Sequence, residues 1–104
     1  MFMKKQTLTL AAVTFVFATS AVFAATGEEM YKQHCASCHP DGGNIINPKY
    51  TLHKKDMARE GVKDAKGIIK LMRKPEAGMT AFDKKTISDK DAKAIADYVL
   101  KTFK

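Results

Sequence analysis

Apolar positions recur at helical spacing in the C-terminal part of the chain. Ala92, Ile95, Ala96, Val99 and Leu100 fall on one face, and Ser88 with Asp91 forms a capping pair just before them. A helix starting after Ser88 is the strongest element that the pattern predicts. Val62, Ala65, Ile68, Ile69 and Met72 repeat the spacing, so a helix is expected over 62–74, ended by Pro75. Thr51 to Glu60 reads as a further helix stopped by Gly61. Thr26 and Glu29 make a second capping pair, opening a short helix through Met30 and Tyr31. Pro40-Asp41-Gly42-Gly43-Asn44 cannot extend that helix and is expected to be loop. No stretch alternates as a strand, and no internal repeat or low-complexity segment is present. An all-α domain follows.

The N-terminal pattern is different in kind. Lys4 and Lys5 precede a nearly continuous apolar run from Leu8 to about Ala21, and Val22-Phe23-Ala24 offers small residues at −3 and −1. This is the layout of a secretory signal, so residues 1–24 are expected to be removed and residues 25–104 to form the mature domain. The run is almost long enough to serve instead as an uncleaved anchor. Thr14, Thr19 and Ser20 weaken that alternative.

An 80-residue domain buries too little apolar surface to be secure on side-chain packing alone, and usually carries a staple. Without Lys4 and Lys5, sixteen basic residues face eleven acidic ones, a balance of +5. That suits an acidic protein partner or an anionic surface, and equally suits plain solubility. Basic residues are interspersed with acids rather than clustered, which argues against nucleic acid as a partner.

Cys35-Ala36-Ser37-Cys38-His39 supplies the chemistry. Cysteines at this spacing can each form a thioether with a haem vinyl group, and the adjoining histidine can then ligate the iron. A thioredoxin-like pair would be expected after a strand in a βαβ unit, for which the chain has no pattern. A structural zinc needs four converging ligands. His34 and His39 flank the cysteines too closely for that, and there is no second C-x-x-C.

For the iron's sixth position, Met79 is the leading candidate. It stands in Gly78-Met79-Thr80-Ala81-Phe82, between the Pro75 stop and the last helix. A thioether ligand favours ferrous iron and raises the potential. Met57 and Met72 lie within helical apolar patterns and read as core. His53 would give a bis-histidine haem, but it begins a lysine-rich helix where a solvated side chain is commoner.

The chain resembles the class I monohaem cytochromes c, most nearly the cytochrome c6 type. The likeness rests on the C-x-x-C-H motif, on Gly42-Gly43-Asn44 through Ile46, Pro48, Thr51 and Leu52, and on Gly78-Met79 with Ala81-Phe82-Asp83. It implies a small fold wrapped around one covalent haem c, thioethers at Cys35 and Cys38, and axial ligands His39 and Met79. It also implies that the first helix crosses the last near Gly27, with Tyr31 and Tyr98 packed at the crossing. One departure stands out: the family usually has proline after the ligand methionine, where this chain has Thr80. Without the fixed φ of proline, the ligand loop is expected to be more adaptable.

The expected function is that of an exported, periplasmic, monomeric one-electron carrier between redox proteins. A basic rim including Lys32, Lys49, Lys54, Lys74, Lys84 and Lys85 would steer acidic partners. With both axial positions filled there is no place for a substrate, so no enzymatic activity is expected. The alternative is a haem-based ligand sensor or peroxidase-like protein with a labile sixth ligand.

Overall fold

Three of the helices begin where a side chain closes an open backbone N–H. In the computed structural model, which describes residues 25–104 together with Ala11, Ala12 and Thr14, helix α1 spans Gly27–His34. Thr26 Oγ1 accepts from the Glu29 N–H at 3.2 Å. The expected leader, and the cleavage point after Ala24, lie almost entirely outside the described residues. Helix α2 spans Lys54–Arg59, α3 Ala65–Arg73 and α4 Asp89–Thr102. Ser88 caps α4 by accepting from the Asp91 N–H at 3.2 Å, and Asp64 caps α3 by accepting from Gly67 at 2.8 Å. Replacing Ser88 by alanine is expected to cost about 1 kcal/mol, read as a lower denaturant midpoint with an unchanged slope.

Two helices are shorter than the apolar pattern suggests. Thr51, Leu52 and His53 stay outside α2: the Thr51 hydroxyl accepts from the His53 N–H at 3.2 Å and donates to Asp56 at 2.6 Å. That local bond competes with helical geometry. Val62 is buried, as its periodicity implies, but it closes the turn after α2, donating its N–H to Met57 at 2.9 Å. Asp64 is extended (φ −146°, ψ 175°), so α3 starts only at Ala65. The Pro40–Asn44 loop contains a single 3-10 turn, Pro40–Gly42.

Helix α4 is the hub and packs on both α1 and α3. Its apolar stripe is the core: Ala92, Ile95, Ala96 and Val99 are buried, with Ile87 just before it and Phe103 just after. From α2 and α3 come Met57, Ile68 and Met72, all buried. Burying each of these larger side chains contributes roughly 1.5–3 kcal/mol. The α1–α4 crossing lies at Gly27, where a Cβ would sit 2.2 Å from the Ala94 carbonyl oxygen. Tyr31 and Tyr98 pack there as a tilted pair with centroids 5.3 Å apart, and Phe103 lies 5.3 Å from Tyr31 and 5.9 Å from Tyr98. The chain end also reaches the motif loop, since a Cβ on Gly42 would meet the Phe103 ring at 2.5 Å. Helix packing thus fixes the segment that follows the C-x-x-C-H motif.

Candidate functional site

Helix α1 runs directly into the motif. The Cys35 and Ala36 N–H groups both donate to Tyr31 O, at 2.8 and 3.0 Å, and the His39 N–H donates to Cys35 O at 2.9 Å. These bonds coil the motif into a tight turn, with both cysteines half-buried and His39 buried. His39 Nδ1 lies 2.7 Å from Gly43 O. A carbonyl can only accept, so Nδ1 carries the proton and Nε2 is the nitrogen available to a metal. Burial pushes the Cys35 thiol up to about 11. A redox-active pair needs the opposite, a thiol stabilised as thiolate. Among the described residues, no three His, Cys, Asp or Glu side chains group as a metal-ion site would require.

Large apolar side chains stand exposed in the loop after this turn and in the loop before α4. Ile45 is 64% exposed, Ile46 59%, Tyr50 47% and Met79 37%. Ile45 is tied to the motif by its N–H, which donates to Cys38 O at 3.0 Å. Asn44 organises the loop between them, its carboxamide accepting from Ile46 and Asn47 and donating to Tyr50 O at 2.9 Å. Ile46 meets the loop that carries Met79: a Cβ on Gly78 would touch Ile46 Cγ2 at 3.6 Å. Phe82 of the same loop packs edge-on against His34, with centroids 5.8 Å apart. The motif loop and the Met79 loop therefore adjoin along an apolar surface that the protein leaves uncovered. Such a surface, in loops that adjoin a motif with two half-buried thiols and an oriented imidazole, fits a flat apolar macrocycle.

The other candidates have occupations of their own. Met57 and Met72 are core residues, 5% and 3% exposed. His53 precedes α2 and packs edge-on against Phe103, with centroids 6.0 Å apart.

Comparison with known proteins identifies the family. A family model described as cytochrome c oxidase, cbb3-type, subunit III matches residues 23–99. Cytochrome c6 of Microcystis aeruginosa is 35% identical over 74 residues, covering 71% of this chain and 90% of that protein. Cytochrome c6 of Nostoc sp. is 33% identical over 95 residues, covering 89% and 85%. The outer-membrane cytochrome F of Geobacter sulfurreducens is 36% identical with a TM-score of 0.73, covering 75% of this chain and 99% of its own. This chain belongs to the class I monohaem cytochromes c. Like them, the cytochrome carries one covalent haem c and serves as a monohaem electron carrier with redox partners. No helix among the described residues is long and apolar enough to cross a membrane.

Sequence reasoning missed three parts of the cytochrome's site. A backbone carbonyl, Gly43 O, orients His39. The Tyr31 hydroxyl reaches the motif loop, donating to His39 O and accepting from the Gly42 N–H at 3.1 Å. Arg73 grips the Met79 loop by donating to Phe82 O at 3.1 Å and Ile87 O at 2.8 Å. A polar-tipped ring at an apolar helix position was the one available signal for Tyr31.

Proposed function

We propose that this cytochrome is an exported one-electron carrier whose haem is bonded to Cys35 and Cys38 and ligated by His39 and Met79. Residues 1–24 are the removed leader and residues 25–104 the working protein, released to the periplasm as a monomer. The haem supplies reversible one-electron storage at its iron. The chain supplies the rest. Gly43 O holds the His39 proton on Nδ1, keeping Nε2 free for the iron. The exposed Ile45, Ile46 and Tyr50 would pack against the bound macrocycle and exclude water from it, which would strengthen the electrostatic contacts there. The exposed lysines favour partners with acidic docking surfaces. With His39 and Met79 both bound, the iron has no open position, and the protein is not an enzyme.

The observation that supports this reading is the closeness of Ile46 to Gly78, where an added Cβ would lie 3.6 Å from Ile46 Cγ2, so that the loop carrying Met79 adjoins the loop that follows His39. Absorption spectra of the oxidised and reduced protein test it. The ferric form is expected to show the weak red band of methionine–iron ligation, and Met79→Ala to abolish it. A band that survives in Met79→Ala would remove Met79 as the ligand. Rapid carbon monoxide binding by the wild-type ferrous protein would favour the sensor or peroxidase-like alternative.

A further inference from the structure

Tyr31 does more than fill the helix crossing. Its ring is 3% exposed and held by Tyr98 and Phe103, which leaves the hydroxyl one fixed position. From there the O–H donates to His39 O and the oxygen accepts the Gly42 N–H. Gly42 N–H also approaches His39 O at 3.2 Å, so the hydroxyl completes a three-centre arrangement inside the turn. The turn is under backbone strain: Asp41 has φ 52° and Gly42 φ 78°, consecutive left-handed residues of which only one is glycine. The next residue is Gly43, whose carbonyl accepts the His39 Nδ1 proton.

We infer that Tyr31 is a positioning residue for the proximal ligand, its hydroxyl holding the 39–43 turn so that Gly43 O stays on His39 Nδ1. The inference rests on His39 being the iron ligand. A strong Nδ1–H···O bond makes the imidazole a better electron donor, which favours ferric iron. Loss of the hydroxyl frees a strained turn, lengthens that bond and shifts the balance toward ferrous iron. Burial pushes the Tyr31 hydroxyl above its ordinary range, opposed by the Gly42 hydrogen bond, so it remains a donor at neutral pH.

The test uses the haem-loaded protein and Tyr31→Phe, which keeps the ring packing. The reduction potential is expected to rise, with the ferrous-to-ferric ratio at a fixed poise increasing several-fold. A tenfold change would be about 59 mV for one electron. The His39 Nδ1–H, followed by NMR in the reduced state, is expected to exchange faster with solvent. Tyr98→Phe is the control, because Tyr98 shares the aromatic cluster while the hydrogen bonds to His39 O and from the Gly42 N–H are made by Tyr31, and its potential should match wild type. An unchanged potential and exchange rate in Tyr31→Phe would overturn the inference. So would haem loss in that variant, which would make the role structural alone. Failure of the underlying reading looks different: His39→Ala would then retain the wild-type low-spin spectrum.

Discussion

Gly27→Ala is expected to destabilise the protein by about 3 kcal/mol or more, the upper end of what overpacking usually costs. The added Cβ would lie 2.2 Å from the Ala94 carbonyl oxygen, 2.8 Å from its carbon and 3.2 Å from Tyr98 Cβ. Two of these neighbours are α4 backbone, which cannot turn aside as a side-chain tip would. Helix α1 must therefore move off α4 or α4 must bend. Either shift separates Tyr31 from Tyr98 and Phe103, whose aromatic pairs contribute roughly 0.5–1.5 kcal/mol each. It also displaces the turn that α1 delivers to Cys35. Denaturant midpoints of Gly27→Ala and Gly67→Ala make the comparison. At Gly67 the nearest atoms a Cβ would meet are the Val62 methyl at 3.3 Å, the Asp64 carboxylate at 3.4 Å and Val62 Cα at 3.6 Å. There the helix-propensity gain of up to about 1 kcal/mol offsets the crowding. Equal midpoints for the two variants would mean that the crossing is not set by Gly27.

Local interactions account for what the chain made legible. Thr26 and Ser88 announce α1 and α4 because a cap lies within three residues of the N–H it serves. The apolar stripe of α4 is the core stripe, and Met57 and Met72 are buried as their helical spacing implies. Periodicity misled where burial and helix part company. Val62 is buried in a turn, and the Asp64 cap that begins α3 was hidden inside an apparently continuous pattern. The motif reveals Cys35, Cys38 and His39 as a group because the chemistry dictates their spacing. The partner of His39 Nδ1 is a backbone carbonyl, which any residue possesses and no pattern marks. Contacts of Arg73 span 9, 14 and 16 residues, distances that only the folded chain closes.

Arg73→Met is expected to cost roughly 2–4 kcal/mol and to release the Met79 loop. Arg73 ends α3, and from there its guanidinium donates to Phe82 O, Ile87 O and, at 3.0 Å, Asp89 Oδ1. Hydrogen bonds from a charged donor are each worth about 1.5–3 kcal/mol, less where solvent competes. Only the Asp89 contact is well exposed. Phe82 is also tied back to α3 by its N–H, which donates to Met72 O at 2.8 Å. Arg73 thus ties both the exit of the Met79 loop and the approach to α4 to the end of α3, beside the Phe82 backbone bond and the Ser88 cap. The loop has Thr80, exposed, where proline would have stiffened it, so Arg73 carries more of the restraint. In an alkaline titration of the ferric protein, Arg73→Met is expected to lose the methionine band at lower pH than wild type. Arg73→Lys should fall between them, because an ammonium cannot span three acceptors as the planar fork does. Acid acts through the same cluster. Asp89 is held below the usual carboxylate range, first by its hydrogen bond to Arg73 and then by Lys84. A depressed folded pKa means that this stability is present above the unfolded value near about 3.9 and is lost as pH falls through the folded one. Arg73→Met should therefore lose less stability on acidification than wild type does. Wild-type melting and an unshifted band in Arg73→Met would show that the loop is held by its own turns, Asp83 with Lys85 and Thr86 among them.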